Sequence, residues 1–116
     1  MSLGSADKGT GHFIGQRLSA IALLILGLWF AWALLVMPGV SHGEALAFIG
    51  VPLNSVLLLL LVVTMAYHSH LGVQVIIEDY VHGHGLHRAS INFSLIAHTL
   101  VAVAAVYAII KIGLGA

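Results

Sequence analysis

Eight histidines in a chain with four Lys/Arg, four Asp/Glu and no cysteine set the chemistry available to this protein. Five of them crowd the stretch "YHSHLGVQVIIEDYVHGHGLHR", residues 67–88, which also carries Glu78, Asp79 and Tyr80. Without cysteine there is no thiolate nucleophile, no iron–sulfur ligation and no Cys-type zinc site, so any redox cofactor held by this chain must be held by histidine.

Helical spacing separates these groups. Gly72 follows His68 by four residues, Val75 by seven and Asp79 by eleven, a single stripe at about 100° per residue. An imidazole beside a glycine leaves room for a flat macrocycle against the backbone, so His68 reads as an axial ligand for a haem; the plainer reading is a hydrogen bond across a helix interface. His70 is turned by about 200° from His68, so "HSH" is not a bidentate metal motif and His70 is expected to bond to a neighbouring helix. His98 admits two readings, a second axial ligand within the same chain or a polar contact between helices. Asp79 and Tyr80, with Arg17, could form a quinone headgroup site, the phenol donating to a carbonyl, the guanidinium offsetting developing charge and the carboxylate relaying protons. The competing reading is an interfacial ion pair with an aromatic anchor. His82, His84 and His87 match no closed zinc site, and three imidazoles at that level can equally buffer or relay protons. The glycines among them are turn residues; no lysine and no preceding strand make a phosphate loop.

The elements that must position these groups are membrane helices. The 116 residues are 60% hydrophobic, 7% charged and of net charge +0, with a mean hydropathy of +1.09, against about 25% charged in ordinary globular domains. Four cations cannot make the basic patch that nucleic acid requires. Apolar runs at about 18–40, 49–80 and 91–114 each reach the roughly 20 residues needed to cross the hydrocarbon core. The expected fold is therefore all-α, a single three-helix integral membrane unit over 1–116. Pro38 and Gly39 close the first helix, "SHGEALAF" makes an outer loop, Pro52 starts the second helix, and "VHGHGLHRAS" makes a second loop with Ser90 capping the third. The first run follows a polar leader and lacks a small-residue cleavage pattern, so a removable signal peptide is not expected. Lys8, Arg17 and Arg88 fall on one side and Glu44 on the other, which puts the N-terminus and the histidine-rich loop in the cytoplasm; Lys111 dissents but lies close enough to an end to snorkel. Trp29, Phe30 and Trp32 read as packing or lipid contacts, and Ala102, Ala104 and Ala105 as a close-packing face.

At this point a family resemblance enters. "HSHLGVQVIIEDYVH" resembles the signature of the small membrane-anchor subunit, the D chain, of succinate dehydrogenase (respiratory complex II), a histidine with a glycine four residues on and an Asp-Tyr pair eleven and twelve residues on. The leader "GSADKGTGHFIGQRLSAIAL" is similar to the opening of that family's first helix. The resemblance covers the N-terminus through the second helix and extends to the third only in character. It implies that His68 is this chain's ligand to a haem b whose other axial histidine comes from a second anchor, the C chain. It implies further that Tyr80 bonds the ubiquinone carbonyl with Asp79 beside it, and that Arg17 stands near the quinone and the haem propionates. Flavoprotein and iron–sulfur subunits would dock on the cytoplasmic side of the inner (cytoplasmic) membrane. The chain would then serve electron transport between the tricarboxylic acid cycle and the respiratory chain, with no complete active site of its own. Other readings are a quinol:fumarate reductase anchor, a self-contained b-type cytochrome with His68 and His98 on one iron, and a non-redox protein whose histidines move protons or metal ions.

Overall fold

A computed structural model describes residues 3–115, with side chains from residue 9 onward; the Lys8 side chain, one of the charges behind the expected orientation, lies outside those described. Four helices follow in order: α1 Leu3–Val36, α2 His42–Gly50, α3 Pro52–Tyr80 and α4 His84–Gly113. Among the described residues there is no strand. Three of these helices hold spans long and apolar enough to cross a bilayer, Gly9–Val36, Pro52–Tyr80 and His84–Gly113. The fold is thus an all-α multi-span membrane unit, elongated along the helices to 54 × 25 × 22 Å.

α1 ends at Val36, just ahead of Met37 and Pro38, because the residue before a proline is pushed out of the helical region. Its start differs from expectation. The polar leader, expected to precede the first helix, is itself helical from Leu3, so α1 runs 34 residues.

The connection between the first two spans, expected as an outer loop, holds α2. Ser41 caps it by accepting from the Glu44 backbone N–H at 3.3 Å, and "SHGE" is the Ser-x-x-Glu pattern that favours a helix start. Pro52 opens α3 where its missing N–H costs nothing. The first turn of α3 then ties down the end of α2: Asn54 Nδ2 donates to the Phe48 carbonyl at 3.0 Å, and the Ser55 hydroxyl donates to the Ile49 carbonyl.

The second connection is also shorter than expected. α3 ends at Tyr80, residues 81–83 turn, and α4 starts at His84 with Gly83, not Ser90, at its N-cap. The His87 N–H bonds the Gly83 carbonyl at 2.7 Å, so "GLHRAS" forms the first turns of α4. Glycines at a helix start cost less than in its interior, which lets the helix begin inside the glycine-rich stretch.

Leu58, Leu61 and Ile109 form the core at the α2 end of the bundle, with Leu23, Leu26, Trp29 and Phe30 of α1 and Phe48 of α2 packed around them. Trp29 lies 6.0 Å from Phe48 and 6.2 Å from Phe30, ring centre to ring centre, whereas Trp32 is 60% exposed. Only 11% of the most apolar part of each span is buried within the chain. Most apolar side chains therefore face lipid or another subunit, and helix association here rests on packing and interhelical hydrogen bonds.

Candidate functional site

α1 and α3 run antiparallel, and their seam is where His68 sits. Ser19 on α1 is 6% exposed, and its Oγ lies 2.8 Å from His68 Nδ1. The same hydroxyl donates to the Gln16 carbonyl at 3.1 Å. With the hydroxyl hydrogen on the Gln16 carbonyl, the Ser19 oxygen is free to accept from His68 Nδ1–H, the tautomer that leaves Nε2 unprotonated. His68 is half-buried, and among the described residues its Nε2 has no hydrogen-bond partner. It lies twelve residues from Tyr80, about 18 Å of helical rise into the span.

One turn on, Gly72 faces Gln16. A Cβ built on Gly72 would meet only Gln16 Nε2, at 4.0 Å, so the notch beside His68 is open as the spacing predicts. Two buried polar atoms on the same stretch of α1, His12 Nε2 and Gln16 Oε1, have no partner among the described residues. Unpaired buried polar atoms are costly and call for an explanation. Sequence reasoning missed His12, Gln16 and Ser19. Their i, i+4, i+7 spacing on one helical face was the available signal. Gly15 completes the seam: the Tyr67 hydroxyl lies where a Gly15 Cβ would be, so a larger residue there would displace the end of the Tyr67 side chain.

Asp79 and Tyr80 come where expected, at the end of α3, both exposed, Tyr80 at 77%. Arg17 does not join them. The Ser19–His68 and Gln16–Gly72 pairings set a register in which Arg17 is level with about residue 70, roughly 14 Å of rise from Asp79 and about 15 Å from Tyr80. Its guanidinium lies over the Phe13 ring, 4.9 Å from the centroid. The expectation of one shared level fails because α1 begins well before Arg17, which puts that residue inside the seam instead of at its mouth.

His70 and His98 belong to the opposite interface, between α3 and α4. His98 Nδ1 donates to the Ser94 carbonyl at 2.7 Å, and His98 Nε2 accepts from the Ser69 hydroxyl at 2.9 Å. Ser94, 6% exposed, has its Oγ 3.0 Å from His70 Nδ1, and the two imidazoles meet edge to face at 5.5 Å. His70 thus bonds to a neighbouring helix as its face predicts. His98 has both ring nitrogens engaged and points away from His68. Ala102 and Ala105 line a groove of about 410 Å³ beside His98, while Ala104 is exposed. His84, His87 and Arg88 share one face of the first turns of α4 with Asn92. Among the described residues, no three His, Asp or Glu side chains gather closely enough to hold a metal ion.

Fold and site together define a multi-span helical membrane subunit with one mid-span histidine oriented by a serine, and an exposed Asp-Tyr pair at the end of the same helix. Residues 1–109 match the family described as succinate dehydrogenase/fumarate reductase transmembrane subunit, and the chain belongs to that family. The succinate dehydrogenase hydrophobic membrane anchor subunit of Paracoccus denitrificans is 38% identical over 98% of this chain and 88% of its own length. Subunits of the same name from Rickettsia bellii and Rickettsia conorii are 37% and 34% identical, over 67% and 72% of this chain and 62% and 67% of their own lengths.

Proposed function

We propose that this chain anchors a succinate dehydrogenase in the cytoplasmic membrane, supplies one axial ligand to a haem b and forms part of the ubiquinone-reducing site. The observation that carries the reading is the Ser19–His68 contact of 2.8 Å, which leaves a lone pair at Nε2 for iron beside the open notch at Gly72. A histidine ligand is ordinarily held in this way through its other ring nitrogen. The seam's residues fit the group: His68 would ligate, Gly72 would give room for the ring, and His12 Nε2 would donate to its acidic edge. Arg17, level with about His70 and Leu71, suits acidic haem side chains better than a headgroup at Tyr80. A haem b bound there supplies a one-electron couple within the membrane. The second axial histidine would come from the partner anchor, the C chain, since His98 has both nitrogens occupied; that occupation also argues against a self-contained cytochrome.

At the end of α3, the Tyr80 phenol would donate to a ubiquinone carbonyl and Asp79 would pass protons from the aqueous side, stabilising charge as it develops. Electrons from succinate would arrive through the flavoprotein and iron–sulfur subunits docked on the cytoplasmic face, where the positive-inside count puts the N-terminus. The family description covers fumarate reductases as well; the similar proteins named above carry the succinate dehydrogenase name, which favours succinate oxidation. The test is the reduced-minus-oxidised spectrum of the assembled complex carrying His68→Ala, which should lack the b-type band.

A further inference from the structure

We propose that Ser19 is a positioning residue that fixes the tautomer of His68 and tunes its bond to iron; the inference rests on the reading of His68 as a haem ligand. The hydrogen-bond directions carry it. A serine hydroxyl has one hydrogen, and that of Ser19 goes to the Gln16 carbonyl at 3.1 Å. Its oxygen therefore meets His68 Nδ1, 2.8 Å away, as an acceptor. The imidazole must carry its proton on Nδ1 and present Nε2 bare, the form a metal requires. Ser19 is 6% exposed, so the contact lies inside the seam.

The Gln16 carbonyl also gives the serine a fixed rotamer, the back-bonding to the preceding turn common for serine in helices. The acceptor is thereby held at one point of the seam. Donation from Nδ1 raises the electron-donating power of the ring, which favours ferric over ferrous iron. Ser19 thus lowers the potential of the group that His68 holds. Without it, the ring has no acceptor on α1 at that point and can protonate Nε2, the atom that should face the metal.

The test uses the complete complex in its native membranes, with a redox titration of the b-type band and the low-spin ferric resonance as readouts. Ser19→Ala should move the ferric–ferrous equilibrium roughly threefold to tenfold toward ferrous and shift the ferric resonance. Ser19→Cys, of nearly the same size but a weak acceptor, should move both in the same direction, and Ser19→Thr, which keeps the hydroxyl, should restore wild-type behaviour. Wild-type titrations in Ser19→Ala and Ser19→Cys overturn the proposal, as does a Thr variant that behaves like Ala. If His68→Ala loses the band while those variants titrate as wild type, the tuning role alone is rejected. An intact band in His68→Ala removes both the ligand assignment and the role of Ser19.

Discussion

Ser19 and His68, forty-nine positions apart, meet at 2.8 Å across the α1–α3 seam, while His98, on α4, is turned into the other interface by Ser69 and Ser94. His68 and His98 therefore have different neighbours. One is oriented with a ring nitrogen to spare, and the other has none.

The notch beside His68 gives a direct prediction. A methyl on Gly72 meets nothing in this chain nearer than Gln16 Nε2 at 4.0 Å, and alanine is the better helix former by about 0.5–1 kcal/mol. Gly72→Ala should thus leave the anchor at least as stable while lowering the haem content of the purified complex severalfold. Full haem content in a stable Gly72→Ala complex would mean that the ring does not lie against Gly72.

Arg17 is expected to act at the level of the seam. Arg17→Gln should perturb haem content or the b-type spectrum while changing the KM for quinone less than about threefold, since its level on the seam lies about 15 Å of rise from Tyr80. A large rise in KM with an unchanged spectrum would return Arg17 to the quinone site.

Tyr80 is exposed in this chain and makes no contact that its phenol must preserve. Tyr80→Phe should cut quinone reduction on the order of tenfold to a hundredfold, the cost of losing one donor to a developing negative charge. Succinate oxidation by a soluble artificial acceptor should persist. Equal loss of both activities would make Tyr80 an assembly residue.

Ser94 joins His70 and His98 inside the α3–α4 interface. Removing its hydroxyl takes the partner from His70 Nδ1, while His98 keeps the Ser94 carbonyl and the Ser69 hydroxyl; interhelical hydrogen bonds in membranes average about 0.6 kcal/mol with a maximum near 1.7. Ser94→Ala should destabilise the anchor by about 1 kcal/mol, read as earlier loss of helical signal on heating in detergent, with the b-type band unchanged. Loss of the band would place this network in support of the haem ligand.

Much of the fold could be read from the chain because bilayer thickness acts on each span separately. The apolar runs, Pro38 and Pro52 mark three spans without knowledge of their partners, and the 3.6-residue period puts His68 and Gly72 on one face with His70 opposite. What the period cannot provide is the register between helices. That is why Arg17 was expected beside Tyr80, and why Ser19 and Gln16, ordinary polar residues in an apolar helix, gave no sign of meeting His68 and Gly72. The connections differ for a local reason: the Ser41–Glu44 cap starts a helix in the first, and a helix start tolerates Gly83 and Gly85 in the second.

The most direct measurement is the reduced-minus-oxidised spectrum of the intact complex in membranes, taken for wild type, His68→Ala and His98→Ala side by side. The account predicts that the b-type band is lost or strongly altered in His68→Ala and retained in His98→Ala. An unchanged band in His68→Ala, or its loss on removal of His98 alone, would contradict it.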